Sequence, residues 1–447
     1  MFKKILIANR GEIAARIMRT CNALDIHTVG VFSEADKEAP HVQLADEAYC
    51  VGGSRVNESY LNIDKIIEVA KETKVEAIHP GYGLLSENPK FARRCEDEGI
   101  IFIGPSADVI AQMGSKIESR KVMKEIGVPV VPGIAHPLKD ENEAAEIANS
   151  IGYPVMIKAS SGGGGIGMKA VYNQEELLKY YAGNQKRATD FFGDGTMYIE
   201  KYIEEPHHIE IQILADKYGN SVYLWDRECS IQRRHQKVLE EAPSPFIDEK
   251  TRQKMGELSI LAAQSIGYSN AGTIEFLVDA DQNFYFLEMN TRLQVEHPVT
   301  EEITGIDLVE QQLLIASGER LTIKQADIKR EGHAIEVRIY AEDPETFFPS
   351  PGRITKLYTP TGKGIRHELA ISDSSVVSPF YDPMVAKLII KGETRMKAIN
   401  HLQEVLDAYE LQGIKTNIPF LKKIVSHQAF REGDTTTSFI EKNIIKK

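Results

Sequence analysis

Short apolar runs and amphipathic segments take turns from the start of this chain to about residue 103, and that alternation fixes the class of fold open to it. Residues 3–8, 28–32, 77–79 and 101–103 read as strands. Residues 12–24, 63–73 and 89–98 read as helices between them. Strand and helix in strict succession predict a parallel, doubly wound sheet. The first strand-to-helix turn is Asn9-Arg10-Gly11-Glu12, which lacks the G-x-G-x-x-G fingerprint of a dinucleotide site. Glu34 and Asp36 imitate the ribose-binding carboxylate of such a site, but without the glycines a dehydrogenase is disfavoured.

Beyond this region a helix is predicted from Lys116 to Glu125, and Gly127-Val-Pro-Val-Val-Pro-Gly133 breaks the chain before a smaller subdomain. Residues 209–215 and 273–278 read as longer, antiparallel strands. After Gly332 strands at 334–340 and 354–358 precede helices at 394–411 and 418–426, an α+β order. A chain of 447 residues exceeds one core. No apolar run approaches the roughly 20 residues of a membrane helix. The formal net charge of −12 argues against nucleic acid as partner, so an anionic substrate needs a local basic pocket. Cys21, Cys50, Cys95 and Cys229 are widely spaced with no C-x-x-C, and buried free thiols are expected. The amino terminus has no signal-peptide core and reads as the first strand of a cytoplasmic protein.

Ser160 to Met168 reads S-S-G-G-G-G-I-G-M. No Lys-Ser or Lys-Thr follows, so this is not a P-loop. Residues 168–172 look extended, which makes the glycines the tip of a long hairpin. Successive N–H groups on such a tip can cover an anion and close after it enters. Lys158, on the strand leading in, and Lys116 add cationic contacts. A flexible surface hairpin is the plainer reading, yet turn chemistry seldom uses four consecutive glycines.

Residues 273–290 read as a second hairpin, with its turn at Asp281-Gln282 and with Glu275 opposite Glu288. Like charges directly opposite destabilise a ladder. Two carboxylates with Asn290 nearby suit a hard cation such as Mg²⁺ or Mn²⁺. A different register, with both glutamates solvated, is the alternative. In Arg292-Leu-Gln294-Val-Glu296 the polar residues fall at every second position. An extended segment would put them on one face, where the arginine binds a small anion and the glutamate takes its proton. Gln232-Arg-Arg-His235-Gln-Lys237 is a basic cluster in an acidic chain, either a solvated charged stretch or an anion site.

His79-Pro-Gly-Tyr-Gly-Leu-Leu-Ser-Glu-Asn88, the glycine run, Gln232 to Lys237 and Glu288-Met-Asn-Thr-Arg-Leu-Gln-Val-Glu-His-Pro298 together resemble the biotin carboxylases of the ATP-grasp superfamily. The resemblance runs from end to end. It implies a Rossmann-like N-terminal domain (1–114), an ATP-grasp domain (115–330) with a mobile glycine-rich lid (131–203), and a C-terminal α+β domain (331–447). It implies carboxylation of biotin by bicarbonate and ATP, with Mg²⁺ or Mn²⁺ at one or two sites.

Matched position by position, Lys116, Lys158, Gly162, Gly163, Gly164, Gly165 and Gly167 correspond to triphosphate contacts. Glu200, Lys201 and Ile203 correspond to the adenine linker, and His208, Gln232 and His235 to residues near the ribose. Glu275 and Glu288, with Asn290, correspond to the metal site. Lys237, Arg292, Gln294 and the Val295 backbone correspond to the bicarbonate pocket, Glu296 to the general base, and Arg338 to the group stabilising the biotin enolate. Ile166 departs from the basic residue the family commonly carries in the lid. His207 is expected to be an exposed bystander. Biotin is expected as a substrate in trans on a biotin carboxyl carrier protein, because Val122-Met-Lys-Glu125 lies on a helix and the last residues belong to the third domain. Carboxyltransferase subunits and a homodimer are implied, with acetyl-CoA carboxylase and fatty acid synthesis the default host and a pyruvate or other acyl-CoA carboxylase the alternative. Another ATP-grasp ligase would not need Lys237 or the Arg292–Gln294–Glu296 row, and a nucleotide sensor would need no base.

Overall fold

A computed structural model describes residues 1–134, 136–159, 168–192 and 195–445. The run from Ser160 to Gly167, including Gly162, Gly163, Gly164, Gly165, Ile166 and Gly167, lies outside the described residues.

The predicted parallel sheet is present: β1 (Lys4–Ile7), β2 (His27–Ser33), β3 (Glu47–Gly52), β4 (Ala77–His79) and β5 (Ile101–Phe102), in the order β3-β2-β1-β4-β5. Side-chain alternation explains its two covered faces. Ile5 and Ile7 join the core that holds Ile13, Ile17 and Met18, whereas Leu6 and Ala8 join the opposite core with Ile66, Ile67 and Phe91. Local signals set the helix starts. The Asn62 side chain accepts from Lys65 N at 3.0 Å ahead of Ile63–Thr73, and Asn88 accepts from Lys90 N at 3.0 Å ahead of Pro89–Asp97. The strand β3 and the helix Ala107–Gly114 have no counterpart among the sequence expectations.

A smaller antiparallel sheet has the order β7-β6-β8, formed by β6 (Val155–Ala159), β7 (Met168–Val171) and β8 (Met197–Lys201). Val155 pairs with Val171 and Lys158 with Met168, so the glycine run does join two paired strands. Val155, Ile157, Val171 and Ile199 bury against Ala144, Ala148 and Leu177 of the helices Glu141–Ile151 and Gln174–Phe192.

The largest sheet includes β9 (His207–Ala215), β10 (Ser221–Arg233), β11 (Gln236–Ala242), β12 (Asn270–Val278), β13 (Phe284–Asn290) and β14 (His333–Tyr340). The remaining strands among the described residues are β15 (Gly352–Arg353), β16 (Lys356–Tyr358), β17 (Ile365–Leu369), β18 (Val376–Val377), β19 (Met384–Gly392) and β20 (Glu410–Gln412). The eight-stranded order is β13-β12-β9-β10-β11-β14-β19-β17, so one ladder, with Leu239 opposite Val337, runs on past Gly332.

Three expectations need correction here. The strand at 354–358 is interrupted, with β15 pairing β18 and β16 pairing β20. The helix expected to reach 411 is Arg395–Ala408, because Tyr409 is extended and leads into β20. Cys50 is exposed at the edge strand β3, while Cys21, Cys95 and Cys229 are buried. Among the described residues no helix is long and apolar enough to cross a membrane.

Candidate active site

A cleft of about 1220 Å³ opens over the large sheet, with walls from the small sheet, from the loop after β4 and from the segment before β19. Its floor follows from a period of two in β9. Ile209, Ile211 and Ile213 point into the core shared with Met255 and Ile274, which turns His208, Glu210 and Gln212 to the other face. Four side chains then line up across neighbouring strands: Arg227 (β10), Glu210 (β9), Glu275 (β12) and Glu288 (β13). The predicted Glu275–Glu288 register is present.

Lys237 neutralises the middle of this row. Its Nζ contacts a Glu210 carboxylate oxygen, Glu275 Oε1 at 2.9 Å and Glu296 Oε1 at 2.7 Å. Glu275 Oε1 also accepts from Asn290 Nδ2 and Gln294 Nε2, both at 2.8 Å, and Oε2 lies 2.9 Å from His208 Nε2. Arg227, wholly buried, donates to Glu210 Oε2 at 3.0 and 3.1 Å and to Gln212, Thr273 and Thr300. Burial alone would raise the Glu210 carboxyl, but Lys237 and Arg227 outweigh it and bring it to about 2.

Glu288 differs. The residue as a whole is exposed, but partial desolvation of its carboxyl inside the cleft together with repulsion from Glu275 pushes it above the ordinary value, against the pull of His208, Lys116 and Lys237. Two carboxylates facing each other, one held ionised and the other pushed up by it, match the oxygen donors a divalent cation takes. Asn290 Oδ1 accepts from Arg292 Nη2 at 2.8 Å.

The segment after β13 is not extended throughout, which corrects the alternation argument. Leu293 plugs the core beneath the first sheet. Gln294 O accepts from His297 N at 3.3 Å, so the chain turns at Val295-Glu296 and enters the helix His297–Thr304 with Pro298 in its first turn. The polar residues still converge, because the turn aims Glu296 into the sheet. Arg292 is held by Glu87 Oε2 at 2.7 Å, and its Nη1 lies 3.3 Å from Gln294 Oε1. Glu296 is fully buried beneath Lys237 and Arg338, with Arg338 Nη2 3.0 Å from Oε2. Burial pushes the Glu296 carboxyl up, but Lys237 and Arg338 win and hold it below its ordinary value. Arg338 Nε donates to Glu240 Oε1 at 2.7 Å, and burial next to Glu296 lifts Glu240 to about 7 even against Arg338.

Around this floor, Gln232 Nε2 lies 2.8 Å from His208 Nδ1. His235 is exposed on the β10–β11 turn at φ +65°. Lys158 and Arg120 both pair with Glu200, Arg120 at 2.7 Å. Lys201 Nζ turns to the carbonyls of Gly152 (3.0 Å) and Tyr153 (2.9 Å), while Ile203 lines the cleft. Lys116, exposed at the start of the helix Lys116–Glu125, is not among the lining residues. His207 is no exposed bystander: it is buried, stacked on Phe246 with ring centroids 3.5 Å apart, and 3.3 Å from Glu228. Glu210, Arg227, Glu240 and Glu87 escaped sequence reasoning. For Glu210 the signal was there, in the polar alternation of H-I-E-I-Q from His208.

Family models match nearly the whole chain: "Biotin carboxylase, N-terminal domain" over 1–110, "Carbamoyl-phosphate synthase L chain, ATP binding domain" over 115–324, and "Biotin carboxylase C-terminal domain" over 336–442. Biotin carboxylase 2 of Bacillus subtilis is 64% identical over 99% of this chain and 100% of its own length. The propionyl-CoA carboxylase alpha chain of Ruegeria pomeroyi is 50% identical over 98% of this chain and 68% of its own length. The biotin carboxylase domain dimer of Hydrogenobacter thermophilus 2-oxoglutarate carboxylase, solved with MgADP, ADP and bicarbonate, superposes with a TM-score of 0.91 at 50% identity, covering 99% of this chain and 98% of that one. Together with the cleft that carries Lys237, Glu275 and Glu296, these matches establish that the chain belongs to the biotin carboxylase family of ATP-dependent ligases.

Proposed function

We propose that this enzyme carboxylates biotin on a separate carrier protein in the cytoplasm, using bicarbonate and ATP, and that it works as a homodimer beside carboxyltransferase subunits. The host carboxylase is open among acetyl-CoA, other acyl-CoA and pyruvate enzymes. The working domains are 1–114, 115–330 with a lid at 131–203, and 331–447.

The observation that carries this reading is the Lys237 ammonium shared by Glu210, Glu275 and Glu296. It joins Glu275, one of the two carboxylates expected to bind the metal, to the expected base Glu296 at one point. Bicarbonate entering there finds Arg292, Lys237, the Gln294 amide and the Val295 backbone as donors. Glu296, kept ionised by Lys237 and Arg338, takes its proton. The bicarbonate oxygen then attacks the γ-phosphorus, the bond to ADP breaks, and carboxyphosphate results. Carboxyphosphate splits into CO₂ and phosphate, the phosphate takes the N1′ proton of biotin, and the enolate, facing Arg338, captures CO₂. Glu275 and Glu288 would hold Mg²⁺ or Mn²⁺, with Asn290 as a further oxygen donor if it released Arg292. Such an ion neutralises charge on the transferring phosphoryl group. Lys116, Lys158, the lid from Gly162 to Gly167, Glu200, Lys201, Ile203, His208, Gln232 and His235 would hold the nucleotide. The lid would keep water from carboxyphosphate.

ATP cleavage measured with and without bicarbonate and free biotin tests the reading. Phosphate release that needs both supports it. Cleavage indifferent to biotin would replace it with another ATP-grasp ligase.

A further inference from the structure

We infer that Lys387, a residue outside the reacting groups, is a positioning residue for the general base, setting the peptide from which Glu296 projects.

Lys387 lies on β19 in register with Arg338 of β14 and is wholly buried. Its Nζ donates to the Val295 carbonyl at 2.7 Å and lies 3.3 Å from Glu12 Oε1, and the same Glu12 oxygen accepts from the Tyr82 hydroxyl. Val295 and Glu296 are the two central residues of the turn closed by His297 N and Gln294 O. The Val295 carbonyl therefore belongs to the peptide immediately before the Glu296 Cα. Rotating that peptide would swing the Glu296 side chain away from Lys237 and Arg338. A buried carbonyl needs one donor, and a backbone amide would serve at no electrostatic cost. Here the donor is a buried ammonium, which needs Glu12 as counter-charge and is costly to desolvate. Its placement also ties three regions to one peptide: Glu12 from the helix Gly11–Ala23, Val295 from the turn after β13, and Lys387 from the C-terminal strands. The base is thus held by a contact between domains, and its aim depends on their docking.

The inference rests on Glu296 acting as the base. Glu296→Gln, with turnover and nucleotide affinity read separately, tests that role, and the variants below test Lys387. Lys387→Met removes the donor at similar length. The double variant Glu12→Gln/Lys387→Met removes both members of the ion pair, so Glu12 is not left without its partner, while the buried Glu336 loses the nearby Lys387 charge in both variants alike. In both, kcat/KM for bicarbonate should fall about 10²-fold, the usual loss for a reacting group displaced by roughly an ångström. The KM for ATP should stay within about twofold, because nucleotide binding does not pass through this peptide. The acid limb of the pH–rate profile should move, since Glu296 no longer sits squarely against Lys237 and Arg338. A lysine that only fills space would lower the melting temperature and affect both substrates alike, with an unmoved pH profile. A folded double variant with wild-type bicarbonate kinetics overturns the inference. So does failure of both variants to fold, which would make Lys387 a structural lysine.

Discussion

Glu275 accepts three hydrogen bonds on one oxygen and faces His208 with the other, whereas Glu288 opposite it has solvent. The pair therefore divides its labour, and the exposed member is the one to change. Glu288→Lys should cut Mg²⁺-dependent ATP turnover by roughly 10²-fold or more, since an ion at phosphoryl oxygens supplies several kcal/mol. The fold should survive, because an exposed lysine can pair with Glu275 at little cost. Phosphate release by the variant, with its circular dichroism as control, checks this, and wild-type turnover would remove Glu288 from the site. Glu296→Gln keeps size and hydrogen bonding but removes the base, so turnover should drop roughly 10²–10⁴-fold with nucleotide affinity retained. Titration of a fluorescent nucleotide reads the affinity, and an equal loss of affinity would make Glu296 structural. Glu210 is a pH-dependent element. Its folded value of about 2 lies below the ordinary carboxylate value, so its stabilisation is complete above about pH 4.5 and fades as pH falls toward 2. Glu210→Gln strands Arg227 and should cost about 3–5 kcal/mol at neutral pH. Urea midpoints should show a smaller cost at about pH 3.5, and an undiminished cost there would contradict the assignment.

Among the elements, β9 and β12 carry His208, Glu210 and Glu275 of the floor, and both strands were legible in sequence. Glu275 opposite Glu288 was legible in the hairpin itself, whereas Glu210 became meaningful only in register, when it fell into one row with them. The turn at Val295-Glu296 was missed because alternation over five residues fits a strand equally well. Pro298, which favours the first turn of a helix, was the competing signal. Packing beneath β12 makes a further test. A Cβ at Gly272 would meet the Tyr268 hydroxyl at 2.5 Å, and that ring is buried. Gly272→Ala should therefore destabilise by roughly 1–3 kcal/mol, the usual cost of overpacking. An unchanged denaturant midpoint would show that the Tyr268 ring gives way freely.

For the molecule as a whole, the active cleft exists only where the three regions meet: Glu87 reaches Arg292, Arg338 reaches Glu296, and Lys387 reaches Val295. Biotin must enter this junction, and a carrier in trans would deliver it at high effective concentration. Turnover should rise when biotinylated carrier replaces free biotin at equal concentration. Mass spectrometry of the chain made with active biotin ligase should show no biotin adduct. A biotinylated lysine in this chain would overturn the reading of biotin as a substrate in trans.

The alternation of strands and helices, the caps at Asn62 and Asn88, and the hairpins around the glycine run and around Glu275–Glu288 were determined by sequence, because each depends on residues close along the chain. Motif order also sufficed for the family. What the tertiary structure alone decided is the charge arithmetic of the floor. Lys237 meets carboxylates 27, 38 and 59 positions away, and Glu87 meets Arg292 across 205. No local pattern encodes such distances. The stacked His207, the Glu240 carboxyl raised beside Glu296 and the buried Lys387 are products of that assembly, since burial and charge act through space and not along the chain.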